Sequence, residues 1–291
     1  MLLPTADAVY AWAVAADRPA AFVRVALPEI ELNTLVSGLR RQLDFANGAK
    51  VGGGYDSTSA FALYDKLLAP LLSVWQGKTQ LVVAAGGALS QLPFAVLHTR
   101  AGGGFDASAP WLIKDASITQ VPSLSAWLAI KAIAKAKSAP QAFATHGLMA
   151  GDLPNLNQPA LAMAATGTED KNPFAPLLTL EDVLTLKLNA DWVVLSACNT
   201  AAADGRAEEA LSGLARGFFY AGSRSLLVTH WAVESESAKE LTTSTFAHYT
   251  ANPQAPKAES LRQAMLKVMG MAQFSHPAYW APYALVGDGG R

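Results

Sequence analysis

Two residues of this 291-residue chain could carry covalent chemistry: its single cysteine, Cys198, and His146. Cys198 follows the apolar run Trp192 to Ala197 (WVVLSA), and His146 follows Gln141 to Thr145 (QAFAT). Each run has the length and composition of a buried β-strand. If the two strands are neighbours in a parallel sheet, their C-terminal ends lie about 5–10 Å apart. That edge is where open α/β sheets gather their sites. A thiol needs help to react: with a pKa near 8.5, only about 3% is thiolate at pH 7. An adjacent imidazolium lowers that pKa and can then protonate a leaving amine. Gly147 follows the histidine and lets backbone approach a substrate closely. Its N–H and that of Cys198 are candidates for an oxyanion hole, where one donor is typically worth about 2.7–4 kcal/mol. Taken alone, a lone cysteine in an apolar stretch is more often an inert core residue.

The elements that must position these groups are legible as an alternating pattern. Residues 7–15 and 21–27 read as a β-hairpin around Asp17-Arg18-Pro19. Helical spacing of apolar residues runs from Ile30 to about Phe45 and from Ala60 to Trp75. Strands are expected at Thr79–Ala84, Ala116–Gln120, Ser225–Thr229 and Tyr283–Val286. Helices are expected from Ser123 to about Lys135, from Thr179 as N-cap, and over 208–220, 235–249 and 257–269. Strands alternating with helices indicate βαβ units and a mainly parallel sheet. Segments 47–57, 101–109 and 152–176 are long connections, and such segments are often functional.

Composition excludes several classes. The net charge of −1 gives no field that favours nucleic acid, and no Lys/Arg run marks a membrane surface. No apolar run reaches the ~18–20 residues of a membrane helix, and the first twenty residues do not read as a signal peptide. One cysteine cannot form an internal disulfide, so the cytoplasm is the expected compartment. There is no HExxH, no P-loop lysine and no GxSxG elbow, so neither metal nor cofactor is expected.

The surrounding motifs carry a resemblance. LSACNT (195–200), LSGLARGFFYAGSRSLLVTHW (211–231), HPAYWAPYALVG (276–287), ATHG (144–147) and AAGGALSQLPFAVL (84–97) are together similar to the CHAT domain family, caspase-like proteins associated with tetratricopeptide repeats. The likeness spans nearly the whole chain in order. It implies an α/β, caspase- or separase-like fold: a mainly parallel sheet flanked by helices, with an N-terminal lobe (1–135) packed against a catalytic lobe (136–291). It implies a cysteine endopeptidase with His146 and Cys198 as the dyad. Both positions are intact. It also implies an extended peptide beside the strand after the nucleophile strand, lined by Thr229, His230 and Trp231. Trp231 is as well explained as core, and His230 is a rival to His146. Asp152 and Asp204 are candidates for a carboxylate that selects Arg or Lys. His98, His248 and His276 read as structural. The chain departs from the family where it has Thr-His-Trp-Ala-Val-Glu-Ser (229–235) in place of a Leu-Trp segment followed by Asp-Asp. A family sensor region is not visible in these residues: the sensor is a separate protein (a tetratricopeptide-repeat or other sensor partner), is replaced by something else, or lies outside this sequence. The other expected partner is a protein substrate, with gasdermin-like and other bacterial defence effectors as candidates. A non-catalytic scaffold and an amidase acting on a small substrate are the alternatives.

Overall fold

The computed structural model describes residues 1–44, 54–132, 141–143, 147–148, 153–163, 177–195 and 213–290. The chain opens with a small antiparallel sheet of β1 (Leu2–Pro4), β2 (Val9–Ala15) and β3 (Arg18–Val25). Among the described residues, β3 pairs only with β2. This edge position explains how Pro19, which has no N–H to give, sits inside a strand. Helix α1 (Glu29–Leu43) follows, with Leu32, Val36, Leu39 and Leu43 on its buried face. The sequence pattern predicts one helix over 60–75. The chain instead forms α2 (Ser57–Leu67), a 3₁₀ turn at Ala69–Leu71 and the short α3 (Leu72–Trp75). Pro70 is the cause: its ring clashes with the preceding turn and it removes a helical N–H.

The main sheet then collects strands from most of the chain. Its order is β4 (Gln80–Ala84), β5 (Ser117–Val121), β12 (Tyr283–Gly287), β11 (Ser225–Thr229), β10 (Val193–Leu195) and β6 (Gln141–Phe143). β4 runs parallel to β5, and β6, β10 and β11 run parallel to one another. β11 and β12 are antiparallel, so the sheet is mixed and mostly parallel. The fold is therefore α/β, as the alternating pattern predicts.

Side chains alternate across this sheet. Val194, Leu227 and Leu285 enter one core, with residues of α1, α2 and of α7 (Ser235–Ala251) and α8 (Lys257–Met269). Val193, Leu195, Leu226, Val228, Ala284 and Val286 enter a second core on the other face. That core is completed by α5 (Leu180–Thr185) and α6 (Gly213–Tyr220). Both faces of the central strands are thus covered by helices, which explains why WVVLSA and SLLVT read as continuous apolar runs.

Two further helices and a second small sheet are described. Helix α4 (Leu124–Ala132) begins where Ser123 Oγ accepts the Ala126 N–H. α9 (Pro277–Trp280) begins at His276, whose ring accepts the Ala278 N–H. β7 (Gly147–Leu148), β8 (Ala160–Ala162) and β9 (Leu177–Thr179) form a second small antiparallel sheet. The sequence pattern places only a polar connection at 152–176, because strands of two or three residues leave no periodicity to detect. Thr179 then caps α5 in a reciprocal capping box with Asp182, as its position before Glu181 and Asp182 predicts.

Candidate active site

The strand that precedes Cys198 and the strand that precedes His146 are adjacent. β10 and β6 are parallel neighbours, with Val193 opposite Gln141, Val194 opposite Ala142 and Leu195 opposite Phe143. Their C-terminal ends therefore face the same edge of the sheet. On the other side of β10, Leu195 is opposite Val228 of β11. Cys198, His146, Asp152 and Asp204 lie outside the described residues. Gly147 is described, on β7 opposite Leu161 of β8.

The residues just past β11 are fully enclosed. Thr229, His230 and Trp231 are all buried. β11 has β10 on one side and β12 on the other, so no added strand can pair along Ser225–Thr229. A peptide beside this strand is limited to the chain beyond it. The Trp231 indole is spent inward, donating from Nε1 to the Ala278 carbonyl at 3.0 Å.

His230 is held as a neutral ring. Burial is the first cause and the Arg40 cation the second, and together they push its pKa from 6.5 to about 3. Its Nε2 lies 3.3 Å from Gln120 Oε1, and Gln120 is fixed by its own amide donating to the Leu92 carbonyl. Among the described residues, buried Nδ1 has no hydrogen-bond partner. An imidazolium here would leave that second N–H unsatisfied in a dry site. His230 is thus unsuited to stabilise a thiolate as a cation. Its backbone is also tied at both ends of the residue: the N–H donates to the Pro282 carbonyl, and the carbonyl accepts from Arg40 Nη2 at 2.8 Å.

Arg40 is a residue that motif reading does not single out. It donates from Nη1 to the Gln91 carbonyl and from Nη2 to the His230 carbonyl, both at 2.8 Å. It thereby joins α1, the turn at Gly87–Gln91 and the segment that leaves β11. A signal was present in the pattern. Position 40 is four residues after Val36 and three before Leu43, so it belongs to the buried stripe of α1. An arginine on that stripe must bring its charge to a purpose.

The other histidines have structural surroundings. His98 is fully buried against the Trp111 ring, with centroids 4.3 Å apart, and burial lowers its pKa. His248 lies on α7, 3.1 Å from Ser260 Oγ. Among the described residues no group of three His, Cys, Asp or Glu side chains could hold a metal ion, and no helix is long and apolar enough to cross a membrane.

The sequence model of the CHAT domain matches residues 58–143 and 142–288. The chain belongs to the CHAT domain family. Within the CHAT chain, 114 residues are 37% identical to tetratricopeptide repeat protein 28 of Mus musculus. A stretch of 113 residues is 34% identical to the Homo sapiens protein of that name. Each match covers 38% of the CHAT chain and 4% of the relative, so the chain spans a small fraction of these relatives' length.

Proposed function

We propose that this CHAT chain is a cysteine endopeptidase of the caspase-like kind, with Cys198 as nucleophile and His146 as its proton partner. The observation that carries this reading is a register. Phe143 and Leu195 are opposite each other on parallel strands. In the sequence, His146 and Cys198 each stand three residues beyond that pair. Two chains leaving neighbouring strands about 4.8 Å apart, with equal offsets, suit a thiol and an imidazole that share a proton. The burial and low pKa of His230 support the assignment further, since they remove the rival base.

In this reading the Cys198 thiolate attacks the scissile carbonyl carbon. The carbonyl π pair moves onto oxygen, where the N–H groups of Gly147 and Cys198 receive it. The C–N bond then breaks, and His146 gives its proton to the departing amine. Water hydrolyses the thioester in a second step and restores the thiol. The substrate is a protein segment in extended form, and bacterial defence or cell-death effectors are the proposed class. The lobes 1–135 and 136–291, a sensor partner and a cytoplasmic location belong to the same proposal.

The test is a peptide-library cleavage assay on wild type, Cys198→Ala and His146→Ala, with melting temperatures measured in parallel. Loss of cleavage by at least about a thousandfold in both variants, with unchanged melting, supports the dyad. Cleavage that survives in Cys198→Ala sinks it. A protein whose partner-binding function persists in that variant, without any cleavage by wild type, is a scaffold instead.

A further inference from the structure

A pocket of about 380 Å³ opens between α1 and the turn at Gly87–Gln91, lined among others by Asn33, Ser37, Arg40, Arg41, Asp44 and Gln91. Two arginines line it, and among the described residues no carboxylate lies within ion-pair distance of either. Asp44 is the acidic group among the described lining residues, so these carry an excess of one positive charge. Arg40 is half-buried and spends two of its five N–H groups on the Gln91 and His230 carbonyls. A partly desolvated guanidinium with donors to spare, beside a second guanidinium and with Asp44 offsetting only one of the two charges, suits recognition of carboxylates and phosphates.

We infer that this pocket is a subsite for an anionic group of the substrate, the carboxylate of an acidic side chain. The inference rests on the peptidase reading above. Arg40 touches residue 230, one position past β11, and β11 is the neighbour of the strand that leads to Cys198. One strand spacing is about 4.8 Å and an extended peptide advances about 3.3–3.6 Å per residue. The acidic residue therefore sits about two to four positions from the scissile bond. The specificity of the reaction would then be set in part from α1, far away in sequence from either member of the dyad.

The experiment pairs peptides with Glu or Asp at each position near the cleavage site against their Gln or Asn counterparts. Cleavage by wild type is compared with Arg41→Gln and Arg40→Lys, and with Lys239→Gln as a control that removes an exposed cation from α7. A preference for the acid on the order of tenfold in kcat/KM at one position is expected. It should shrink toward one in the two arginine variants and persist in the control. Equal cleavage of acid and amide by wild type overturns the subsite while leaving the peptidase reading intact. Where no peptide is cleaved, the same labelled pairs are titrated onto Cys198→Ala protein. Tighter binding of the acid that depends on Arg41 keeps the subsite, and equal binding overturns it. Inorganic phosphate is the third arm. Phosphate that binds the pocket without competing with the acidic peptide would make it a site for a free anion and overturn the substrate role.

Discussion

The two ends of strand β11 handle charge in opposite ways. At its start, Arg224 is buried and donates to Asp288, which follows β12. Asp191, just before β10, lies 3.6 Å from Arg224 Nε and 3.0 Å from the fully buried Lys257 ammonium at the start of α8. Lys131 of α4 approaches Asp288 at 3.5 Å. Every cation at this end has a carboxylate. Backbone geometry is adapted to it as well: Gly287 takes φ 102°, and a Cβ there would fall 2.5 Å from the Arg224 carbonyl. At the other end, past Thr229, a histidine is kept neutral and Arg40 donates to two carbonyls, with Asp44 acting on it at longer range. The first arrangement neutralises charge internally and locks β10, β11, β12 and α8 together. The second ties α1 to the segment after β11, at the edge of the sheet where β6 and β10 end. One end holds the sheet together; the other, in the proposed reading, meets substrate.

The sharpest way to break this comparison is at the start of β11. Burial raises the pKa of Asp288, but Arg224, Lys131 and Lys257 outweigh it and the net direction is down. Asp288→Ala leaves a buried guanidinium without its principal partner. Such losses typically cost about 3–5 kcal/mol. Chemical denaturation should show that fall, while cleavage measured well below the melting temperature keeps its preference among peptides. A large shift in preference with little loss of stability would reverse the roles assigned to the two ends.

Arg40→Met probes the other end. Among the described residues no close ion pair is lost, but two carbonyls lose a charged donor, worth about 2 kcal/mol together once water is allowed to re-enter the open pocket. Stability should therefore fall less than in Asp288→Ala, whereas kcat/KM should fall more, because the segment after β11 loses its tie to α1. Denaturation and kinetics on the same two proteins decide it. Equal losses of both kinds in both variants would mean that the ends do not differ in role.

How much of this was written in the local sequence differs between the two ends. The strand Val193–Leu195, within the apolar run from Trp192 to Ala197, and the helices Ser235–Ala251 and Lys257–Met269, within two residues of their expected ends, were plain from apolar runs and helical spacing. So was the Thr179 cap. The pairing of Asp191 with Lys257 was not, because it spans 66 residues and depends on where α8 docks. The antiparallel direction of β12 is likewise a property of the connection, which no strand's own composition records. The short strands β7 to β9 hold too few residues for a pattern. Arg40 was hidden for a different reason. Its place on the buried stripe of α1 was readable, yet its partners are backbone carbonyls, which carry no sequence signature.

The smallest expected effect is a slope with pH, and it isolates His230. In the unfolded chain this ring titrates near 6.5, whereas in the fold burial and Arg40 hold it at about 3. Between those values the unfolded state binds the extra proton. The contribution of His230 to stability is therefore complete above pH 6.5 and declines as the pH falls toward 3, by about 1.4 kcal/mol per unit well inside that window. His98 and His276 are also lowered by burial and bend the curve the same way. The useful quantity is thus the difference between wild type and His230→Gln, in which the amide keeps a partner for Gln120 and cannot titrate. That difference should narrow as the pH is lowered from 7 to 4, because only wild type pays for excluding the proton. A difference that stays constant across the range would mean that residue 230 is protonated in the fold after all. It would then be able to compete with His146 for the role of the cation beside the thiolate.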